Sequence, residues 1–219
     1  ADLAGLSLDA TISKIEDEPG AGRLVLNFRF KRSTVAGRLD NFGSDEVGPL
    51  EASINARFND LFGQFEATDG LIVTNPADPA ELVFARLSQT YQLGPSGLST
   101  GWELSQVWSN PGGDLAALDV HAETTKARVF VDYAVVRTIE RNLMVSLALN
   151  TIDSSVDIAG ARASEKHNRW VTAGATYDDV IAGAAVILDV AFAQGIDGLG
   201  SRGEDAGFRF VTAEGTISR

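Results

Sequence analysis

The residue types that most often perform acid–base or metal chemistry are sparse in this chain. It has two histidines, His121 and His167, and no cysteine among its 219 residues. The segment after His121, Ala-Glu-Thr-Thr, lacks the second histidine that a zinc protease helix places four residues further on. We therefore expect both imidazoles at polar strand ends or in loops, and we expect neither a metal nor a cofactor.

The positions of serine and histidine residues allow one catalytic site to be considered, that of a serine hydrolase. Ser155 and Ser164 lie near His167 in the sequence, as a serine nucleophile and its base can. No Gly-x-Ser-x-Gly sequence accompanies them to expose a nucleophile. The adjacent carboxylates Asp178 and Asp179 would point to opposite faces of a strand, so they are not placed to share a proton. We predict no catalytic residue and no enzyme, with a hydrolase as the least favoured alternative.

The overall charge argues against a nucleic-acid partner. The chain has 18 Lys and Arg against 30 Asp and Glu, a formal net charge of −12, and the basic residues are scattered. Binding to phosphates requires clustered Lys and Arg. Hydrophobic residues make up 44% of the chain, so it is expected to fold. Its apolar stretches are too short for a membrane-spanning helix, which needs about 18 residues.

Alternation with a period of two residues is the main structural signal. From Leu50 to Asn59, apolar residues at even positions alternate with polar residues at odd positions, which gives a strand two different faces. The pattern returns at positions 83–93, 127–135, 143–149 and 184–192. Few segments have helical spacing. The sequence therefore predicts an all-β chain of long antiparallel strands.

Strand length and the pattern of connections favour a transmembrane β-barrel over a soluble β-sandwich. Asp69-Gly70 and Asp197-Gly198 are typical of short turns, whereas positions 109–122 and 153–166 are predicted to be long polar loops. Short turns at one end and long loops at the other are typical of outer-membrane barrels. Aromatic residues also cluster near strand ends, as interfacial girdles do: Tyr91, Trp102, Trp108, Tyr133, Trp170 and Tyr177.

The first 33 residues form a separate pattern. Positions 6–12 and 24–30 alternate between apolar and polar residues, and Glu18-Pro19-Gly20 turns the chain between them. This is the pattern of a β-hairpin. Because a lone hairpin is only marginally stable in water, we expect it to complete a small domain whose earlier part precedes this chain.

Short motifs in a consistent order resemble the two-partner secretion transporters, the TpsB or hemolysin activator/secretion (ShlB/FhaC/HecB) family. The hairpin is similar to the end of a polypeptide-transport-associated (POTRA) domain. The family's barrel-start motif, DN-x-G-S-x-x-x-G, is matched by Asp40, Asn41, Gly43, Ser44 and Gly48. Later matches are Asn59 to Gly63, Tyr133 to Arg137 with Asn142-Leu143, and Gln194 to Gly200 with Ser201-Arg202 and Gly207-Phe208.

The resemblance implies a fold and a domain division. Residues 1–33 would be the C-terminal hairpin of a POTRA domain, and residues 34–219 would be the first part of a transmembrane barrel that has sixteen strands in the family. The family's Arg-Gly motif in a long inward-folded loop has no counterpart here. We therefore expect this chain to contain only part of the working unit, since an open sheet in lipid would leave unpaired backbone groups at both edges.

The resemblance also implies a function and a location. The barrel would be a monomeric pore in the bacterial outer membrane, with the hairpin in the periplasm, and it would secrete a TpsA-like exoprotein client. A passive porin or structural barrel is the alternative, because it would show the same alternation. The residues predicted to line the lumen are Arg57, Arg86, Lys126, Arg128, Asp132 and Asp189. Those predicted to contact the client through an exposed strand edge are Ser7, Asp9, Thr11 and Ser13. Those predicted to face lipid are Leu50, Ile54, Phe58, Val129, Val131, Leu147, Val186 and Val190.

Overall fold

The computed structural model describes residues 3–14, 21–44, 46–202 and 209–218. Within these ranges the chain is almost entirely extended, with one short 3-10 helix, Gly113–Leu118. The strands are β1 (Leu6–Lys14), β2 (Gly22–Phe30), β3 (Ser33–Asp40), β4 (Glu51–Asn59), β5 (Ala67–Thr74), β6 (Leu82–Gln92), β7 (Leu98–Ser109), β8 (Val120–Arg137), β9 (Arg141–Ile158), β10 (Ala161–Ile181), β11 (Ala184–Gly195) and β12 (Arg209–Ser218).

The strands form two antiparallel sheets. β1 and β2 pair only with each other, and β3 to β12 form a ten-stranded sheet in which every strand pairs with its neighbours in sequence. In the described part of the chain, β3 and β12 are the two edges of this sheet. The prediction of an all-β antiparallel fold is confirmed, and the sheet is a barrel wall that is not closed. The division into POTRA and barrel domains stays a prediction.

The ten-stranded sheet has one apolar and one polar face, because directly paired residues of antiparallel strands share a face. One cross-sheet row on the apolar face joins Ile54, Ile72 and Ala85, and a second joins Val131 and Leu147. These large side chains are exposed: Ile54 to 60% and Leu147 to 56%. The apolar face is therefore uncovered.

The polar face is here termed the inner face of the sheet, and the apolar face the outer face. The buried apolar residues among those described are three alanines, Ala67, Ala148 and Ala193. All three belong to one cross-sheet row on the polar face, which passes through Thr90 and Phe130. The described chain thus has its small residues inside and its large apolar residues outside, the reverse of a soluble protein.

The predicted loop at positions 153–166 is wrong. β9 continues to Ile158 and β10 begins at Ala161, with a two-residue turn at Ala159-Gly160 whose φ angles are 51° and 74°. Polar side chains pair across these strands, as Asp157 does with Arg162. These positions are polar because the ends of β9 and β10 extend beyond the part of the sheet whose outer face carries large apolar residues.

The predicted turn at Asp69-Gly70 is also wrong, since both residues lie inside β5. Asp69 pairs with Ser88 on β6, and its carboxylate lies 3.8 Å from Arg57 Nε on β4. Cross-strand partners therefore keep this dipeptide extended. The predicted turn at Glu18 to Gly20 and the family match at Gly207-Phe208 lie outside the described residues.

Among the described residues, no helix is both long and apolar enough to cross a membrane.

Candidate functional site

Four charged side chains and one serine lie in one cross-strand row of the polar face. The row runs across five successive strands, from β4 to β8. Its residues are Arg57, Asp69, Ser88, Glu103 and Arg128, each paired with the next. The two acidic residues of this row, Asp69 and Glu103, are separated by Ser88, and each has an arginine as its other cross-strand neighbour. The arrangement reduces repulsion between like charges while it keeps a polar surface.

The six predicted lumen residues all lie on this polar face. Arg86 and Lys126 occupy the next row, joined through Ser105. The Asp189 carboxylate accepts a hydrogen bond from the Thr176 hydroxyl at 2.6 Å and lies opposite Glu214. The full set is Arg57, Arg86, Lys126, Arg128, Asp132 and Asp189. That this face lines a lumen stays a prediction.

The predicted lipid-facing residues fall on the opposite face. Of the eight, Leu50 lies just before β4, and the other seven share the apolar face: Ile54, Phe58, Val129, Val131, Leu147, Val186 and Val190. Six of these seven side chains are exposed: Ile54, Phe58, Val129, Val131, Leu147 and Val190. Their contact with lipid stays a prediction.

A polar cluster on the apolar face was not anticipated from the sequence. Gln89 on β6 is buried, and its Nε2 donates a hydrogen bond to the Thr68 hydroxyl at 3.0 Å. The Tyr91 hydroxyl and Trp102 Nε1 both donate to Gln89 Oε1, at 2.9 and 3.2 Å. Gln89 therefore satisfies the polar atoms of two residues predicted to form an aromatic girdle. No local pattern marks it, since its partners are on three strands.

The first half of the barrel-start motif forms a closed connection after β3. Asp40 is the last residue of β3, and Asn41 follows at a bend. The Gly43 N–H donates to the Pro49 carbonyl at 3.2 Å, and a Cβ at Gly43 would lie 2.0 Å from the Gly48 carbonyl oxygen. The close approach therefore requires glycine at position 43.

The second half of the motif contacts the next loop. Gly48 has φ of 86°, and a Cβ there would lie 1.9 Å from Asn75 Nδ2. Asn75 Nδ2 in turn donates to Glu81 Oε2 at 2.6 Å. The Ser44 side chain hydrogen-bonds the Glu46 carboxyl and lowers its pKa. The motif residues thus pack two connections together; Asp45 lies outside the described residues.

The connection between β4 and β5 closes around Glu66, which is fully buried. The Phe62 N–H donates to Glu66 Oε1 at 2.7 Å, and the Gln64 N–H donates to Oε2 at 3.2 Å. Burial raises the pKa of the Glu66 carboxyl. Hydrogen bonds from backbone groups, including those of Phe62, Gln64 and Leu61, together lower the pKa by more than burial raises it, so it lies below its usual value. Sequence reasoning matched the start of this turn to the family and missed Glu66.

The ten-stranded sheet and the two-stranded sheet meet at Asn59, the last residue of β4. Its side-chain Nδ2 donates to the Lys31 carbonyl at 2.8 Å, and its backbone N–H donates to the Arg32 carbonyl at 2.7 Å. The Lys31 N–H donates to the Gly5 carbonyl at 2.9 Å. Three chain segments that are distant in sequence are therefore hydrogen-bonded at one point.

The predicted client-contacting residues lie on one face of β1. Asp9 is opposite Asn27, and its carboxylate lies 3.6 Å from Arg29 Nη2. The set is Ser7, Asp9, Thr11 and Ser13, all exposed. Among the described residues, the edge of β1 away from β2 pairs with no strand. Contact with a client stays a prediction.

The hydrolase alternative has no assembled site in the described chain. His167 lies on β10, where Nδ1 is 2.7 Å from Asp153 Oδ1 and Nε2 is 3.0 Å from Glu165 Oε1. Both ring nitrogens therefore contact carboxylates rather than a serine. Ser164 pairs with Val156, three residues from His167 along β10. No group of three His, Cys, Asp or Glu residues suitable for a metal occurs among the described residues.

Comparisons with known proteins identify the fold. No protein-family model matches the chain, and no curated protein matches its sequence. CdiB from Escherichia coli superposes with a TM-score of 0.79 at 12% identity, over 96% of this chain and 41% of CdiB. CdiB from Acinetobacter baumannii gives a TM-score of 0.60 at 13% identity, over 88% of this chain and 37% of that one. The chain thus has a β-barrel fold similar to that of the CdiB structures and spans about two fifths of their length.

Proposed function

We propose that this chain is the first part of an outer-membrane pore that secretes a partner protein, as in two-partner secretion. The observation that carries the proposal is the reversed distribution of side chains in the ten-stranded sheet. Large apolar residues such as Ile54 and Val129 are exposed on the outer face, whereas small and charged residues occupy the inner face. An exposed apolar face of this extent matches a lipid environment, and a charged inner face matches a water-filled lumen.

The polar face suits passage of a polypeptide better than tight binding of one ligand. Its row from Arg57 to Arg128 contains charges of both signs, with Asp69 and Glu103 between the two arginines. An unfolded chain with varied side chains can pass such a surface without a single strong attraction. We further propose that the chain is not an enzyme and that its barrel works as a monomer.

The attached two-stranded sheet favours secretion over a passive porin. A porin needs no second sheet, whereas here β1 and β2 form one that is hydrogen-bonded to the first barrel hairpin through Asn59. A client of the TpsA type would meet this sheet in the periplasm. The available mode is β-augmentation at the edge of β1, in which backbone groups bind an extended segment and Ser7, Asp9, Thr11 and Ser13 contact alternate side chains.

Cysteine labelling of adjacent residues tests the proposed environment. The chain has no cysteine, so Arg128→Cys and Val129→Cys each introduce a single thiol on this part of β8. We expect a water-soluble maleimide to label position 128 and a lipid-confined maleimide to label position 129 in outer membranes. Asp132→Cys and Val131→Cys repeat the comparison one step along the strand. Preferential water-soluble labelling at 129 and 131 would refute the membrane pore.

A further inference from the structure

Asn59 occupies the point at which the two sheets are joined. It is 6% exposed, and both its backbone and its side chain donate to carbonyls of the segment that links β2 to β3. These two hydrogen bonds, to Lys31 and Arg32, hold adjacent peptide groups of the linker. Two bonds to consecutive residues restrict rotation of the linker more than a single bond would.

The segment before β1 is held at the same point. The Gly5 carbonyl accepts a hydrogen bond from the Lys31 N–H, and Gly5 has φ of 74°. A Cβ at Gly5 would lie 2.5 Å from the Lys31 carbonyl oxygen and 2.7 Å from Asn59 Nδ2. The segments by which the chain enters β1 and leaves β2 are therefore both packed against Asn59 without room for another side-chain atom.

The Asn59 amide is oriented by the polar face. Its Oδ1 accepts a hydrogen bond from Arg57 Nε at 3.4 Å, which leaves Nδ2 directed at Lys31. The same Arg57 Nε lies 3.8 Å from Asp69 Oδ1 on β5. A chain of polar contacts thus runs from the charged row of the polar face to the linker of the two-stranded sheet.

We propose that Asn59 is a positioning residue that holds the two-stranded sheet in one orientation relative to the polar face, with Arg57 fixing its amide and Gly5 providing the space. The biological role of this joint rests on the proposed secretion function: a fixed orientation would keep the edge of β1 directed at the periplasmic end of the pore. Its physical content, a fixed angle between the sheets, is independent of what is secreted.

Distance measurements between spin labels test this orientation in the full-length protein. Asn27 on β2 and Glu140 in the turn before β9 are exposed and accept labels after substitution by cysteine. We expect one narrow distance distribution. Asn59→Ala should broaden it about twofold, because loss of a buried hydrogen bond allows other orientations to become populated. Asn59→Asp should act similarly, since it removes the donor to Lys31 while it keeps the acceptor for Arg57.

Asn55→Ala is the matched control, because Asn55 lies on the same strand and face, and its side-chain Nδ2 donates to the Gly70 carbonyl, at 3.3 Å, within the ten-stranded sheet. It should leave the distribution narrow. Gly5→Ala disturbs the joint from the other side without changing any barrel strand, so it tests the proposal even where Asn59→Ala prevents barrel folding. A broad distribution in the unaltered protein, or unchanged distributions in Gly5→Ala and in every folded Asn59 variant, would overturn the proposal.

Secretion of the client is measured in parallel and separates the two claims. Broadened distances with reduced secretion support both the joint and its purpose. Broadened distances with normal secretion support the joint and contradict its purpose in secretion. Failure of the unaltered protein to secrete any client would count against the proposed function, whereas the distances would still decide whether Asn59 fixes the angle between the sheets.

Discussion

Replacement of Glu66 by glutamine should destabilise the connection between β4 and β5. The buried carboxylate accepts hydrogen bonds from the Phe62 and Gln64 N–H groups, one on each oxygen. Glutamine offers one acceptor oxygen and places a donor against the other N–H. One buried N–H is then unsatisfied, which costs about 1–3 kcal/mol.

Hydrogen exchange measures this change where it occurs. An opening free energy lower by about 1–3 kcal/mol corresponds to exchange faster by about 5- to 150-fold at the affected amides. We expect this acceleration at Phe62 and Gln64 in Glu66→Gln and not in Glu140→Gln. Glu140 is exposed in the turn before β9, so its substitution makes the same charge change without a buried contact. Equal exchange in both variants would refute the role assigned to Glu66.

The same carboxylate predicts a dependence on pH. The pKa of Glu66 is lowered in the folded chain, so its stabilising effect is complete above the ordinary glutamate pKa of about 4.3 and is lost as the pH falls through the folded value. The unaltered protein should therefore keep slow exchange at Phe62 and Gln64 near neutral pH. Its protection, corrected for intrinsic exchange, should approach that of Glu66→Gln only in acid. Loss of protection as the pH rises from 5 to 7, a window above the ordinary value, would contradict this sign.

Two further substitutions test the barrel-start motif and the client edge. Gly48→Ala should lower the thermal stability of the folded barrel more than Gly63→Ala does. Both positions have a left-handed backbone, which costs a residue with a Cβ about 1–2 kcal/mol, but only the Cβ at position 48 would also meet Asn75. Equal losses of stability would contradict the packing argument. Thr11→Pro should weaken client crosslinking and secretion, because it removes a backbone donor from β1, whereas Thr11→Val keeps the donor and should not. Unchanged crosslinking with Thr11→Pro in a folded barrel would exclude augmentation at this edge.

Local alternation predicted the faces of the sheet because it depends on neighbouring residues alone. In a strand, residues two apart share a face whatever the strand pairs with, so Arg128 and Val129 could be assigned to opposite faces from the sequence. The same reasoning failed at Asp69-Gly70, where turn-forming residues are kept extended by cross-strand partners. It also failed at residues 153–166, where polar side chains pair across two strands that leave the apolar band.

The joint at Asn59 shows why the candidate site could be predicted only in part. Asn59 lies 28 residues from Lys31 and uses a linker carbonyl that has no side-chain signature. Gln89 is similar, because its partners Thr68 and Trp102 belong to neighbouring strands. A pattern reports which face a residue occupies. The register between strands, which decides which residues meet on that face, comes from pairing along the whole sheet.

The row of small residues on the polar face lets side chains pack against the sheet while the charged groups beside them stay at the surface. Gly101 on β7 pairs with Phe130 on β8, and a Cβ at Gly101 would lie 2.6 Å from a ring atom of Phe130. The ring therefore lies across the glycine, and the Arg128 guanidinium carbon is 5.1 Å from its centre. This contact holds Arg128 on one side of the ring, opposite Glu103. An aromatic side chain that packs over its neighbouring strand stabilises the wall while it leaves the charged groups on the surface, as the proposed passage of a polypeptide would require.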